Sequence, residues 1–464
     1  MVHLNEGPVL YRGAIDDNKV SSLAKKHYLA DALDAVFAGR PIKVPSTEAI
    51  GCVLSPDPEP QPMLKATYAD SVGKILNDHC VQCHRPGEVA PFSLIGYDQA
   101  KNWSKTIANV TEARKMPPWK AIAGIGEFRH ENRLTDEEVE TLKTWADKGA
   151  PRGDKKTEPK APVFKAGWAL GEPDMILQPS KPFKVSADGT DEYWHFVLKP
   201  QIKEPVYVQA TDVRPGNKRI VHHVILWIDE KKQADKILEE KGVNGAYLST
   251  GWPGFMPDNS LGGWAPGMMP ERTTPDSGFL IKPGSNVVLE VHYHKSGKEE
   301  TDQTKVGLYF AKDSRKVTKP LEIAWLANPM IRIKPGLKAQ RFTQTIPIPV
   351  DVELYSLMPH MHMLGRAMSA TLIHPDGRQE PLIQVDDWDF NWQFTYALKT
   401  PKILKRGSKV RIEAEYDNSA DNPNNPNNPP KLVRWGEQTT DEMMLLVAAI
   451  HVPNRKNFAG TIGD

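Results

Sequence analysis

Cysteine is nearly absent: the 464 residues include three, Cys52, Cys80 and Cys83, and the chain beyond Cys83 is thiol-free. That count excludes a disulfide-stapled scaffold. It also excludes, beyond Cys83, any copper centre built on a cysteine thiolate. An excess of one charge is lacking too, with 59 Lys+Arg against 58 Asp+Glu for a formal net of +1. Neither a basic stripe for nucleic acid nor an acidic tail is present. No apolar run approaches the roughly 18 residues of a bilayer crossing, so no transmembrane segment is expected. Residues 1–20 have neither the charged start nor the apolar core of a secretory leader. What is plentiful is proline, at 40, and tryptophan, at 12. With short apolar runs, these favour turn-rich β architecture over a helical bundle. At about 100–200 residues per domain, the length suggests roughly three folding units.

Residues 2–12 alternate like a strand pair broken at Glu6-Gly7-Pro8. Residues 19–38 read as an amphipathic helix, with Leu23, Leu29, Ala32, Leu33, Val36 and Phe37 on one side, Gly39 as C-cap and Pro41 blocking continuation. A proline-rich linker follows. From about 67 to 150 the pattern is helical, closing on Thr135-Asp136-Glu137-Glu138 and a face of Val139, Leu142, Trp145 and Ala146. Beyond 170 the texture is strands and turns. Residues 286–292, 352–358, 409–416 and 443–451 are the strongest strands, Pro375-Asp376-Gly377 is a hairpin turn, and the Asn/Pro run 422–430 is a surface loop. Two β units of similar size fit, dividing near 326–329.

Cys80-Val81-Gln82-Cys83-His84 is a C-x-x-C-H, the attachment pattern of a c-type haem. Both thiols bond the porphyrin and His84 is the axial ligand. Met116, in Met116-Pro117-Pro118-Trp119, is the candidate sixth ligand, a pairing that suits electron transfer. The competing readings are a thioredoxin-like redox pair or half a zinc site for the cysteines, and core filling for Met116. The C-x-x-C-H, the Met-Pro-Pro-Trp and the closing helix together resemble a single-haem cytochrome c domain over roughly 65–152.

Of the 14 histidines, six fall in three clusters of the β region: His222-His223, His292-Tyr293-His294 and His360-Met361-His362. Residues i and i+2 of a strand share a face, so His360 and His362 can hold one metal from one side. Adjacent His222 and His223 reach one ion only at a bulge or through Nδ1. His3, His27, His79, His130, His195, His374 and His451 stand alone and read as structural. No H-E-x-x-H occurs, so a zinc-protease helix is absent. Histidine-only and histidine–methionine copper remain, thioether favouring Cu(I).

These residues resemble the copper type II ascorbate-dependent monooxygenases, the family of peptidylglycine α-hydroxylating monooxygenase and dopamine β-monooxygenase, over roughly 170–455. The resemblance implies one copper on His222, His223 and His292, and a second on His360, His362 and Met443 of Thr440-Asp441-Glu442-Met443. It implies that His360, His362 and Met443 form the catalytic site, where O2 is bound and hydrogen abstracted. The three-histidine copper passes in the second electron across a cleft between two β-sandwich domains. His294 reads as a supporting residue, and Met444 as facing away from Met443 on the same strand. The peptide hydroxylase has an arginine where this chain has Met358, and a tyrosine where it has Val447. Its disulfide-forming cysteine before the His-His pair is Val221 here. A peptidylglycine substrate is therefore not implied.

Residues 9–17, the following helix and Ile50-Gly51-Cys52 resemble the closing part of a thioredoxin-like redoxin domain, as if the chain were a piece of a longer protein. The expected organisation is multidomain. It comprises a redoxin remnant of α/β type at 1–54, a linker at 55–64, a small α cytochrome c domain at 65–152 and a linker at 153–166. Two mainly antiparallel β-sandwich, jelly-roll-like domains follow at 167–327 and 328–464. The expected cofactors are two copper ions, one covalent haem c and an external reductant, ascorbate-like or a redox protein. The expected partners are O2 and a small organic or peptide-like substrate, with no nucleic acid. A c-type haem implies a periplasmic or other extracytoplasmic bacterial location. The competing reading is a copper- and haem-binding electron-transfer protein without hydroxylase activity.

Overall fold

The computed structural model describes residues 10–17, 24–47, 66–164 and 167–453. The chain divides into two compact units, Met1–Leu64 and Lys65–Asp464. In the first, the helix runs Tyr28–Phe37, with Gly39 in the left-handed conformation just beyond it. It starts later than the hydrophobic pattern predicts, because the Asp17 carboxylate accepts the Lys25 and Lys26 N–H groups and holds those residues in a turn. Cys52, the proline-rich linker and most of the predicted strand pair lie outside the described residues.

The second unit begins with helices at Tyr68–His79, Tyr97–Asn102, Ser104–Glu112 and Asp136–Asp147. Thr135 and Glu138 form a reciprocal capping box at the start of the last helix. Its Leu142 and Trp145 are fully buried against Val72, Leu76 and Ile107. The stretch between the last two helices leaves this core: Trp119, Ala121 and Phe128 pack into the C-terminal β core, with backbone bridges Ala121–Val385 and Phe128–Leu398.

The β region is built on two pairs of larger, open, almost wholly antiparallel sheets, with two small two-stranded sheets beside them. Both sheets of each pair contribute to one apolar core. In the first pair, one sheet is ordered Ala246–Ser249, Glu192–Leu198, Asn286–Tyr293, Val221–Asp229, Asn259–Trp264. Its central strand Asn286–Tyr293 is buried along its whole length, as a continuous apolar run requires. The carboxyl group it carries, on Glu290, turns Oε2 to His195 Nε2 at 3.1 Å and accepts the Trp227 indole N–H at 2.8 Å. In the second pair, one sheet is ordered Glu322–Ala327, Leu445–His451, Val352–His360, Tyr396–Leu404. Leu326 and Ala327 therefore already belong to the C-terminal sheet, pairing with Leu446 and Leu445. The chain crosses between β units a strand earlier than the expected division. Residues 422–430 are the expected loop, ordered by asparagine turns in which Asn422 and Asn425 side chains donate to the backbone of 417 and 419.

Candidate metal centres

His222 and His223 open the strand Val221–Asp229, and His292 lies on its neighbour. Pairing runs Val221 to Tyr293 and His223 to His292, so His222 is the extra residue of a bulge. That kink turns two adjacent histidines toward one point. His223 Nδ1 lies 3.3 Å from His222 Nδ1 and 3.3 Å from His292 Nδ1. One ring nitrogen from each of the three lies within 4.8 Å of the others. Two nitrogens about 2.0–2.1 Å from one ion at a tetrahedral angle stand about 3.3–3.4 Å apart, which is the spacing found.

The proton bookkeeping agrees. His292 Nε2 is 2.8 Å from Asp191 Oδ2. Burial works to raise the Asp191 carboxyl, but hydrogen bonds from His292 and Thr439 and the charges of His292 and His294 outweigh it and bring it down to about 2. An ionised carboxylate only accepts, so His292 carries its proton on Nε2 and turns a bare Nδ1 to the cluster. Burial, with neighbouring histidines adding to it, lowers His222 to about 3 and His223 well below the ordinary range. Bare, converging imidazole nitrogens are what a metal ligand set needs. His294 Nδ1 meets the other oxygen of Asp191 at 3.3 Å, which makes it a supporting residue rather than a ligand. Tyr193 stacks on His292 at 4.2 Å, and Phe390 on His222 at 4.8 Å.

The second set is held differently. His360 ends the strand Val352–His360 and His362 lies in the turn beyond it, their rings nearly perpendicular at 5.2 Å. Gln393 Nε2 donates to the Phe390 carbonyl, which fixes Gln393 Oε1 toward His360 Nδ1 at 2.7 Å. His362 Nδ1 donates to the Asp441 carbonyl at 3.2 Å. Both rings are thereby protonated on Nδ1 and leave Nε2 bare. Burial lowers His360 to about 4 and His362 to about 3. Between the two segments sits the carboxyl of Glu442, fully buried. It accepts the backbone N–H groups of His362 at 2.8 Å, Leu364 at 2.6 Å and Met443 at 3.1 Å. It thus ties the histidine turn to the methionine segment. Met443 and Met444 precede the strand Leu445–His451 rather than alternating on it. Met443 lines the central cavity while Met444 is buried in the β core, so they part company as expected but by a different route.

Both sets open on one cavity of about 410 Å³, lined by His223, His292, His360, His362 and Met443. Phe390 reaches both, stacking on His222 and meeting His362 edge-on at 5.9 Å. The two donor sets fit copper: three imidazoles in one, two imidazoles and a thioether in the other.

In the helical region, Cys80 caps the helix Gly73–His79 and His84 follows one turn later. His84 Nδ1 faces the Phe92 carbonyl at 3.2 Å, which orients the ring and leaves Nε2 for a ligand. Burial pushes the Cys80 thiol up to about 12 and raises Cys83 as well. A redox-active cysteine pair requires the opposite shift, so the thioredoxin-like reading of this motif loses support. Met116 is half-buried beyond the helix Ser104–Glu112, its N–H donating to Val110, while the ring contact of His84 is with Phe92.

Asp191, Gln393, Phe390 and Thr439 escape a reading of the sequence, since each lies more than 25 residues from the ligand it supports, Thr439 acting on His292 through Asp191. The aromatic loop 388–394, Trp-Asp-Phe-Asn-Trp-Gln-Phe, was the available signal for Phe390 and Gln393.

Residues 336–447, which contain His360, His362 and Met443, match the family model described as copper type II ascorbate-dependent monooxygenase, C-terminal domain. Across 287 residues the chain is 23% identical to DBH-like monooxygenase protein 1 of Homo sapiens, covering 56% of this chain and 44% of that protein. Across 231 residues it is 25% identical to DBH-like monooxygenase protein 2 of Mus musculus, covering 46% and 35%. The chain thus spans less than half the length of these curated relatives. Among solved structures, PNGase F, a glycosylasparaginase from Flavobacterium meningosepticum, aligns over 60% of this chain and 96% of its own at 11% identity. Its TM-score of 0.28 carries no argument. Within the C-terminal β unit, residues 336–447 are thus similar to the C-terminal domain of the copper type II ascorbate-dependent monooxygenases.

Proposed function

We propose that the chain is a copper-dependent monooxygenase that hydroxylates a substrate C–H bond with O2 and a reductant, drawing electrons through its own c-type haem. The observation that carries this is the opening of two histidine sets, one from each β unit, on one cavity. Copper held by His222, His223 and His292, and by His360, His362 and Met443, would supply one-electron chemistry and activation of O2. The chain's own groups do the rest. Asp191 and Gln393 fix which nitrogen of His292 and His360 faces inward. Glu442 fixes the distance between the histidine turn and Met443. The balance is R–H plus O2 plus two electrons and two protons, giving R–OH and water.

The haem relay draws its support from where the C-x-x-C-H loop docks. Lys218 Nζ donates to the Gly87 carbonyl at 2.6 Å, and Lys218 and Arg214 each lie 3.5 Å from the Glu88 carboxylate. Lys218 is four residues before His222. The haem-attachment loop therefore rests against the segment that leads into the three-histidine cluster. His84 and Met116 would hold the iron, Cys80 and Cys83 the porphyrin, and an ascorbate-like compound or a redox protein would reduce it. Covalent haem attachment puts the maturation of this protein outside the bacterial cytoplasm. The redoxin-like N-terminal segment has no part in this reading.

The test is oxygen uptake under a reductant, measured against hydroxylated product. One product per O2 is expected, with turnover slowed in the Cys80→Ala, Cys83→Ala double variant. Uptake without product, or turnover indifferent to loss of the haem, would overturn the hydroxylase or the relay respectively.

A further inference from the structure

The floor of the cavity is a sheet face whose register can be followed strand by strand. His360 pairs with Leu445, which pairs in turn with Ala327. Two residues further from the histidine, Met358 pairs with Val447 and Val447 with Trp325. The next row is Ser356, Ala449 and Ile323. All of these residues are uncharged, most are apolar, and all line the cavity. A guest whose reacting carbon sits by His360, His362 and Met443 must therefore lay its body over Leu445, Met358, Val447 and Trp325.

The lining also includes Trp252, packed edge-on against Trp325 at 6.1 Å, and Trp264 and Phe394. Charged groups of the lining are largely spent on each other or on aromatic faces. Arg129 Nε meets Glu271 Oε1 at 2.8 Å and its guanidinium donates to the Arg272 carbonyl, while Arg272 lies 5.0 Å over the Tyr309 ring. The one further carboxylate in the lining is Glu437. Small-molecule sites of this size are mostly apolar with few polar anchors, and this one offers no cation to a carboxylate along its floor.

We infer that the cavity takes a small, uncharged, largely apolar substrate, with Met358 and Val447 as the residues that set this preference. The inference rests on the hydroxylase reading for what the cavity does to its guest. A charged end group laid on that floor would be desolvated without a partner, which is far more costly than leaving it in water.

The experiment compares three probes of one shape: propylbenzene, 3-phenylpropionate and 3-phenylpropylamine. Each is titrated into the full chain with its metals, under argon, and binding is followed by calorimetry and by tryptophan fluorescence. Propylbenzene should bind about tenfold or more tightly than either charged probe, as expected for burying an unpaired charge. Met358→Arg should weaken propylbenzene about tenfold and invert the order in favour of 3-phenylpropionate, and Met358→Leu should leave the order as it was. If Met358→Arg does not fold, Val447→Lys makes the same test from the opposite strand. A charged probe binding as tightly as propylbenzene overturns the inference, with the ammonium pointing to Glu437 as the anchor. Failure of all three to bind overturns it too. Copper content measured on the same samples separates this from the reading above. Copper absent with the neutral preference intact strikes the hydroxylase and not the pocket, and copper present with a charged preference does the reverse.

Discussion

The two histidine sets share a cavity but are built on opposite principles. In the three-histidine cluster the ring proton of His292 goes to a carboxylate, Asp191, itself held by Thr439 and His294. Nδ1 faces the cluster. In the two-histidine set the ring protons go to neutral acceptors, the Gln393 amide and the Asp441 carbonyl, and Nε2 is left bare. An anionic acceptor makes an imidazole more basic and favours the more highly charged metal state. Neutral acceptors beside a thioether favour the lower one. On the proposed function, the contrast would let one β scaffold separate an electron-holding site from a reacting site without changing ligand type at most positions.

The largest effect that would break this comparison comes from His362→Ala. It should abolish copper at the second set while the three-histidine copper stays, so copper per chain falls by one equivalent and product formation stops. Loss of both coppers would show that the sets are not independent. Next is Asp191→Asn, which keeps the shape and removes the charge. Losing such a partner typically costs about 10–100-fold in metal affinity, expected here only at the three-histidine cluster and read by titration against a chelator. Gln393→Ala should fall at the lower end, about tenfold and only at the second set, because a neutral acceptor is lost. Equal effects from these two variants would erase the distinction drawn between them.

The smallest effect is on stability of the metal-free chain. His222 and His362 sit at about 3 and His360 at about 4 in the fold, and His223 is also held well down, all below the roughly 6.5 of a free imidazole. Folded-state values depressed below the unfolded ones mean that protons favour the unfolded chain. The stabilisation is complete above about pH 6.5 and is lost as pH falls toward 3–4. The unfolding midpoint should drop by several °C between about pH 7 and 5. Added copper should raise the midpoint most near neutrality, and a midpoint flat across that range would contradict the neutral, bare-nitrogen assignment.

What could be read from the sequence follows the distance over which each signal acts. The C-x-x-C-H and the H-x-H are written in five and three residues and can be picked out by eye, but His362 stands beyond the end of the strand that carries His360 rather than beside it on one strand face. The bulge at His222 is one of the two routes by which adjacent histidines can share a metal, the other being ligation through Nδ1. The methionine was harder: Met443 and Met444 look like alternating strand residues, but the buried Glu442 pulls the segment out of the sheet before it pairs. Asp191 lies 101 residues from His292, and Gln393 lies 33 from His360, so only strand register brings them together. The early stretch 119–129 was read as part of a helical domain. Its Trp119, Ala121 and Phe128 belong to the β core because a helical core already filled by Trp145 and Leu142 leaves them no apolar partner.

The most direct test of the central claim is metal analysis of the full chain matured where haem can be attached, alongside His362→Ala. The account predicts two coppers and one covalent haem per wild-type chain, with one copper and the haem retained in the variant. Zinc in place of copper, or a haem protein that binds no copper at either histidine set, would contradict it.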